Sequence, residues 1–289
     1  MSPQLAPISE VDAQRQIENV LVERIASDKL DLPLLPQVAA QVMSLTSDPS
    51  ADASKLATLI HQDQALAARV LRISNSPAYM PRTPIVSLQQ AVARLGMNLL
   101  GEIALIASIR GGGMEVPGHE ADIHQLWRHA FASGAYAKEI ARLRRLNVEI
   151  AFLCGLLHEI GKPVVLKAVA QIARENGVAG DSTVMPELVE RHHARVGTLI
   201  ATKWGLPNQV SEAIAHYDDP GQAPSCSREA MMTCLADRLA TNLLTPDRLD
   251  ETGLRALPVV ASLNLYPDDM TQLLNAREGI LKMVEAMAI

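Results

Sequence analysis

The sequence predicts an all-α protein, and three observations lead to that prediction. Apolar residues make up 48% of the 289-residue chain, yet aromatic residues contribute only 3%. A core built from Ala, Leu, Ile, Val and Met favours helix-on-helix packing over a β-sandwich, whose strands are rich in aromatic and β-branched residues. Apolar residues also recur at helical spacing, and no segment of useful length alternates between polar and apolar residues.

The first half of the chain predicts a series of helices separated by capping residues and prolines. Ser9 has the features of an N-cap because acidic residues follow it in the first turn. Pro36 suits the first turn of a second helix. Asp52 or Ser54 caps a third helical pattern, which continues toward Asn75, and Ser87 caps a later one. The expected helices cover residues 10–29, 36–45, 54–75, 87–95 and 97–109.

A glycine-rich segment then separates the chain into two predicted parts. Gly111-Gly-Gly113 through Pro117-Gly118 is the best linker candidate in the sequence, because glycine and proline interrupt regular structure. We therefore expect an N-terminal helical subdomain over residues 1–112 and a second helical subdomain over residues 119–289.

The second half also predicts helices throughout. Asp122 is the expected N-cap of a long helix that reaches about Arg145, and a strongly apolar helix follows over Val148–Ile160. Further helices are expected at residues 163–175, 186–203, 207–217, 226–244 and 268–287.

Charge and composition argue against several classes of function. The formal net charge is −6, and no basic run exceeds the short cluster Arg142–Arg145. Direct binding to DNA or RNA is therefore not expected, since it requires a basic stripe. No stretch approaches the roughly 18 apolar residues of a membrane span, and no signal-peptide pattern is visible. We expect a cytoplasmic protein without membrane insertion and, from three cysteines without a CxxC pattern, without disulfides.

Five side chains in four predicted helical segments suggest a metal site: His129, His158, Glu159, His193 and Asp237. Three imidazoles and two carboxylates are a ligand set for a divalent ion. Asp237 interrupts an apolar helical pattern and is costly to bury without a partner. His193 is a weaker candidate, because either it or its neighbour in sequence could be a surface residue. A structural hydrogen bond between His158 and Glu159 is the alternative to metal binding.

Two neighbours of the His158-Glu159 pair affect its interpretation. Adjacent helical residues project about 100° apart, so both reach one site most easily from a helix end, and Gly161 is expected to supply that end. Lys162 follows, and two roles are open to it. It could contact a phosphate oxygen, or it could be a solvated cation at a helix C-terminus. The sequence alone favours the solvated cation.

Several segments together resemble the HDOD family, the HD-related output domain of bacterial signalling. The matching segments include Leu32-Pro-Leu-Leu-Pro36, Ser87–Gly96, Leu126-Trp-Arg-His129, Ala151–Gly161 and Trp204-Gly-Leu-Pro207. The resemblance implies an HD-domain-like helical bundle preceded by an N-terminal helical subdomain.

The resemblance also implies a ligand set and a function. His129, His158 and Asp237 match three of the four metal-ligand positions of HD-type phosphohydrolases, and Glu159 stands where those enzymes have aspartate. A divalent metal ion is therefore the implied cofactor. Where related enzymes place a further histidine pair, this chain has His216-Tyr-Asp218, which departs from the pattern for a second metal.

Three hypotheses for function follow from this resemblance. HDOD domains are generally regarded as regulatory modules, so the first is a bacterial signal-transduction protein that binds a signalling partner or a small phosphorylated ligand without catalysis. The second is a metal-dependent phosphohydrolase acting on a nucleotide or cyclic nucleotide. The third is a receptor that binds a cyclic dinucleotide without cleaving it.

Overall fold

The regular structure is helical throughout the described part of the chain, which confirms the all-α class. The computed structural model describes residues 10–46, 52–79, 83–111, 114–176, 184–248 and 250–287. The helices, in chain order, are α1 (Glu10–Ala26), α2 (Gln37–Thr46), α3 (Ala53–His61), α4 (Gln64–Ser74), α5 (Leu88–Leu95), α6 (Met97–Arg110), α7 (Glu120–Arg144), α8 (Val148–Leu157), α9 (Gly161–Glu175), α10 (Val184–Lys203), α11 (Asn208–His216), α12 (Ser227–Leu244), α13 (Glu251–Arg255), α14 (Pro258–Ser262), α15 (Pro267–Asn275) and α16 (Arg277–Met287).

Helix α6 is the centre of the first helical group. It packs against α2, α4 and α5, and its apolar residues from Leu100 to Ile109 are buried. The helix that was expected to continue toward Asn75 is instead two helices. Asp63 interrupts it, because its side chain accepts a hydrogen bond from the backbone N–H of Leu66 at 3.0 Å and so caps α4. Asp52 and Ser87 are confirmed as N-caps, because their side chains accept hydrogen bonds from first-turn backbone N–H groups.

Helix α8 is the centre of the second group and is enclosed by α7, α11 and α12. This explains why its sequence is apolar on every side, with all residues from Ala151 to Leu157 buried. Gly155 lets α8 approach α7 closely, because a Cβ atom there would lie 2.6 Å from the carbonyl oxygen of Ser133. α7 carries one part of the site described below, and the turn that follows α8 carries another.

The two groups contact each other at several places. α1 packs on α9 and α10, and α16 packs on both α6 and α7. A partly buried ion pair also joins the groups, because Lys138 of α7 donates to both carboxylate oxygens of Glu102 on α6 at 2.6 Å. The division into subdomains 1–112 and 119–289 stays a prediction. None of the described helices is long and apolar enough to span a lipid bilayer.

Some helix boundaries differ from the prediction. α1 ends at Ala26 because Asp28 adopts a left-handed backbone conformation with φ of 55°. α7 begins at Glu120, with His119 at the N-cap position, so Asp122 lies in the first turn and does not cap the helix. The helix expected over residues 268–287 is divided into α15 and α16, and the short helices α13 and α14 were not predicted.

Candidate metal centre

The candidate site is assembled from three helical elements. His129 lies in the middle of α7 and Asp237 in the middle of α12, and these two helices pack against each other. His158 and Glu159 lie in the turn between the end of α8 at Leu157 and the start of α9 at Gly161. A turn allows both adjacent side chains to face one point, which the interior of a helix would not allow.

The four side chains converge closely. One ligand atom from each of His129, His158, Glu159 and Asp237 lies within 4.8 Å of the other three. His129 Nε2 is 2.9 Å from Asp237 Oδ1 and 4.0 Å from Glu159 Oε2. His158 Nε2 is 3.4 Å from Asp237 Oδ1. Two imidazoles and two carboxylates at such distances fit a divalent first-row metal ion.

His158 is oriented as metal-ligating histidines usually are. Its Nδ1 lies 2.8 Å from the carbonyl oxygen of Gly155, and donation to that oxygen fixes the tautomer and directs the lone pair of Nε2 into the cluster. Within the described residues, Nε2 is buried and has no well-aligned hydrogen-bond partner. A buried polar atom without a partner is costly, and a metal ion would satisfy it. The residues therefore fit the ion that the ligand set implies.

Electrostatic interactions in the cluster oppose the cost of burial. Burial raises the pKa of Asp237, but its hydrogen bond from His129 and the nearby His158 ring outweigh burial and hold the pKa well below its usual value. Burial lowers the pKa of His158, but the carboxylates of Asp237 and Glu159 outweigh it and raise the pKa. His158 therefore holds its proton more tightly than a free imidazole does, and an ion that binds at its Nε2 must displace that proton.

Lys162 is not the solvated cation that the sequence favoured. It lies in the first turn of α9, is buried, and its Nζ is 2.5 Å from Glu159 Oε1 and 2.6 Å from Glu190 Oε1. Burial lowers the pKa of Lys162, but these two carboxylates outweigh burial and raise it. Lys162 therefore holds one oxygen of Glu159 and leaves the other oxygen facing His129. Glu190 was missed because nothing in the sequence distinguishes it from a surface glutamate.

His193 lies beside the cluster but outside the set of four. Its Nδ1 is 2.7 Å from the carbonyl oxygen of Glu190, and its Nε2 is 2.8 Å from the hydroxyl oxygen of Tyr217. Both ring nitrogens are therefore engaged. Burial and the nearby Lys162 lower the pKa of His193, so it accepts the hydroxyl hydrogen of Tyr217. The Tyr217 ring packs edge-on against His158 with 4.7 Å between the ring centroids, a role that no sequence pattern indicated.

Gly161 has a different function from the one expected. It begins α9, and it allows this helix to touch the backbone of α10. A Cβ atom at this position would lie 2.0 Å from the carbonyl oxygen of His193 and 2.7 Å from the backbone nitrogen of Gly197. The close approach places Glu190 on α10 within reach of Lys162.

The cluster opens into a cleft of about 820 Å³. His129, Glu159 and Asp237 line the cleft together with Lys162 and Tyr217. Arg238 lies at the edge of the cluster, with its Nε 3.6 Å from Asp237 Oδ2. A metal ion held at the cluster would be accessible to a small molecule from this side.

The HDOD domain model matches residues 32–220. This range includes the segment around Pro36 and the turn that carries His158 and Glu159. The chain belongs to the HDOD family. The match ends before Asp237, the fourth member of the cluster.

Solved structures share the fold of this HDOD protein. An HDOD domain protein of unknown function from Geobacter sulfurreducens superposes with a TM-score of 0.69 at 22% identity, covering 96% of this chain and 98% of that one. An inferred metal-dependent phosphohydrolase from Shewanella amazonensis has a TM-score of 0.69 at 20% identity, covering 94% and 99%.

Curated relatives match over shorter stretches. An uncharacterized protein of Treponema pallidum is 26% identical over 212 residues, which are 71% of this chain and 41% of that protein. Ribonuclease Y of Thermus thermophilus is 29% identical over 144 residues, which are 50% of this chain and 19% of that protein. The chain thus spans less than half the length of these relatives.

Proposed function

We propose that this HDOD protein is a cytoplasmic bacterial signal-transduction protein that binds one divalent metal ion and, at that ion, a small phosphorylated ligand. The observation that supports this proposal most directly is the convergence of four ligand atoms, among them the buried Nε2 of His158, which lies 3.4 Å from Asp237 Oδ1 without a well-aligned hydrogen bond in the described part of the chain. Because the cluster faces an open cleft, a bound ion would keep positions for a ligand. The regulatory output would be a change in how the HDOD protein contacts a signalling partner.

The protein's own residues would prepare the site in distinct ways. His129, His158, Glu159 and Asp237 would hold the ion, and Lys162 would keep Glu159 in position through its bound oxygen. A bound divalent ion supplies positive charge that attracts and polarises a phosphate group. The hydrogen bond from His158 Nδ1 to the backbone keeps this histidine in the tautomer that can bind a metal. Metal-ligating histidines are commonly oriented by such a hydrogen bond from their other ring nitrogen.

Binding without turnover is favoured by the state of the neighbouring groups. Hydrolysis needs a base within hydrogen-bond reach of the attacking water. His193 is buried beside the cluster, but both of its ring nitrogens are already engaged. Lys162 is held by two carboxylates and is not free to steady a leaving group.

A metal-dependent phosphohydrolase is the second candidate, and one observation favours it. The ligand set is complete and lies at the base of a cleft large enough for a nucleotide-sized molecule, as small-molecule sites of about 300–1,000 Å³ usually are. If this candidate is correct, the manganese-loaded protein hydrolyses bis-p-nitrophenyl phosphate, and Glu159→Asp, which restores the residue of related enzymes, retains or raises the rate. Absence of turnover in both proteins would reject this candidate and favour ligand binding without catalysis.

The metal site is tested by the metal content of the full chain purified without chelator, measured by inductively coupled plasma mass spectrometry. We expect about one equivalent per chain, because one cluster offers four ligands, and its loss in His158→Ala. His124→Ala is the matched control, because it removes an exposed histidine from α7. Added Mn²⁺ at 100 times its Kd should also stabilise the wild-type protein by about 2.7 kcal/mol.

The control determines how the result is interpreted. Equal metal content in His158→Ala and His124→Ala would place the ion elsewhere and refute the proposed site. A wild-type protein that neither contains metal nor is stabilised by Mn²⁺ would refute metal binding altogether.

A further inference from the structure

The residues that line the cleft differ in charge. Those at the cluster are three of the four metal ligands, all but His158, together with Glu190, Lys162, Asp218 and Arg238. Tyr217, whose ring packs against His158, also belongs to this charged end. The other six lining residues carry no charge and are called the uncharged end: Gln125, Leu126, Thr241, Leu244, Thr245 and Leu257.

Helix geometry places the uncharged end next to the cluster along the same two helices. Thr241, Leu244 and Thr245 follow Asp237 by four, seven and eight residues on α12, a spacing that keeps them on one face. At 1.5 Å per residue they lie about 6 to 12 Å from Asp237 along the helix axis. On α7, Leu126 precedes His129 by one turn and lines the same cleft.

The uncharged end offers both apolar surface and hydrogen-bonding groups. Leu126, Leu244 and Leu257 are partly exposed, so each has apolar surface that a ligand could cover. The Thr245 hydroxyl donates to the carbonyl oxygen of Thr241 at 2.9 Å, and its oxygen remains available as an acceptor. Such a mixture suits an organic group that is uncharged and partly apolar.

We propose that the uncharged end is a binding subsite for the organic part of a phosphate monoester or diester whose phosphate lies at the cluster. This inference rests on the proposed metal-dependent ligand site and specifies its ligand class. The organic part is uncharged, because no lining residue at that end would pair with a charge. A mononucleotide has the required chemistry, and inorganic phosphate lacks the part that the subsite would contact.

The charges at the other end determine the order of binding. Four carboxylates line the cleft, on Glu159, Glu190, Asp218 and Asp237, against the two cations Lys162 and Arg238. The carboxylates of the charged end therefore outnumber its lysine and arginine by two, which disfavours the approach of a phosphate. A divalent cation would neutralise this excess, so the phosphate ester binds only after the metal.

The test compares AMP with inorganic phosphate by isothermal titration calorimetry on the full chain, with and without Mn²⁺. On the Mn²⁺-loaded protein we expect AMP to bind at least about tenfold more tightly than phosphate, because even one additional apolar group in a pocket raises affinity by about that factor. After EDTA treatment neither should bind. Leu257→Ala and Thr241→Trp should reduce the preference for AMP to below about threefold, with Mn²⁺ stoichiometry and phosphate affinity unchanged. Leu34→Ala is the matched control, since Leu34 is exposed and does not line the cleft.

The outcomes separate the subsite from the metal site. Equal affinities for AMP and phosphate on a protein that binds Mn²⁺ would overturn the subsite and leave the proposed metal site intact. Absence of Mn²⁺ binding would overturn both. Tight AMP binding after EDTA treatment would overturn the inferred order of binding. Should Thr241→Trp fail to fold, Leu257→Ala tests the same contact by removing apolar surface.

Discussion

Gly161→Ala should destabilise the HDOD protein strongly, although it adds a single methyl group to a helix. The added Cβ would lie 2.0 Å from the carbonyl oxygen of His193 and 2.7 Å from the backbone nitrogen of Gly197. Ordinary contacts of a Cβ atom begin at 3.4 Å, so α9 and α10 must separate by more than about 1 Å. The opposing atoms belong to the backbone and cannot move aside as a flexible side chain would.

The expected magnitude follows from this geometry. Overpacking a core by a methylene group costs about 1–3 kcal/mol, and the contact with backbone atoms places Gly161→Ala near 3 kcal/mol. For a chain of this size, each kcal/mol lowers Tm by about 2–4 °C, which predicts a fall of about 6–12 °C. Lys162 follows this position, and Glu159 precedes it by two residues. We therefore also expect metal affinity to fall about 10- to 100-fold, as it does when a metal ligand loses the partner that holds it in place.

Gly279→Ala is the matched control for this prediction. Gly279 lies in α16, and a Cβ atom there would have no other atom within 4 Å. Alanine is the better helix former, so this variant should gain about 0.5–1 kcal/mol. Urea unfolding followed by circular dichroism measures both changes. A Gly161→Ala protein within about 0.5 kcal/mol of wild type, the range of neutral surface substitutions, would refute the argument from close approach.

Three further predictions concern buried polar contacts, and urea or thermal unfolding checks each of them. Lys138→Met leaves the partly buried Glu102 carboxylate without its partner and should cost about 1–3 kcal/mol, and combining it with Glu102→Leu should recover most of that loss; a double variant as unstable as the single one would contradict this. Tyr217→Phe removes the hydrogen bond to the buried histidine of α10 and should cost about 1–3 kcal/mol, whereas an unchanged midpoint in urea would show that the hydroxyl contributes nothing. Hydrogen bonds from the Ser225 hydroxyl and from backbone N–H groups lower the pKa of Glu212 to about 2 from 4.5. The stabilisation by this carboxylate is therefore complete above pH 4.5 and is lost as the pH falls toward 2. Glu212→Gln should lower Tm at pH 7, and the difference from wild type should shrink toward pH 2; a difference independent of pH would contradict the assignment.

The sequence predicted the helical elements well where their signals are local. Asp52 and Ser87 cap helices as expected, because a capping side chain bonds to N–H groups only two or three residues away. The boundary errors arose where a backbone conformation or an unrecognised cap interrupted the apolar periodicity. The left-handed Asp28 ended α1 early, and Asp63 divided a pattern whose apolar spacing looked continuous.

The sequence by itself determined the all-α class and the residue types that a metal site needs, because periodicity and side-chain chemistry are properties of the local chain. Only the tertiary structure decided which of these residues meet. His129 and Asp237 are 108 residues apart, and their contact depends on how α7 packs against α12. Packing likewise engaged both nitrogens of His193, buried Lys162 between two carboxylates and required glycine at position 161. These outcomes depend on distances of a few ångströms between helices, and the spacing of residues along the chain does not specify those distances.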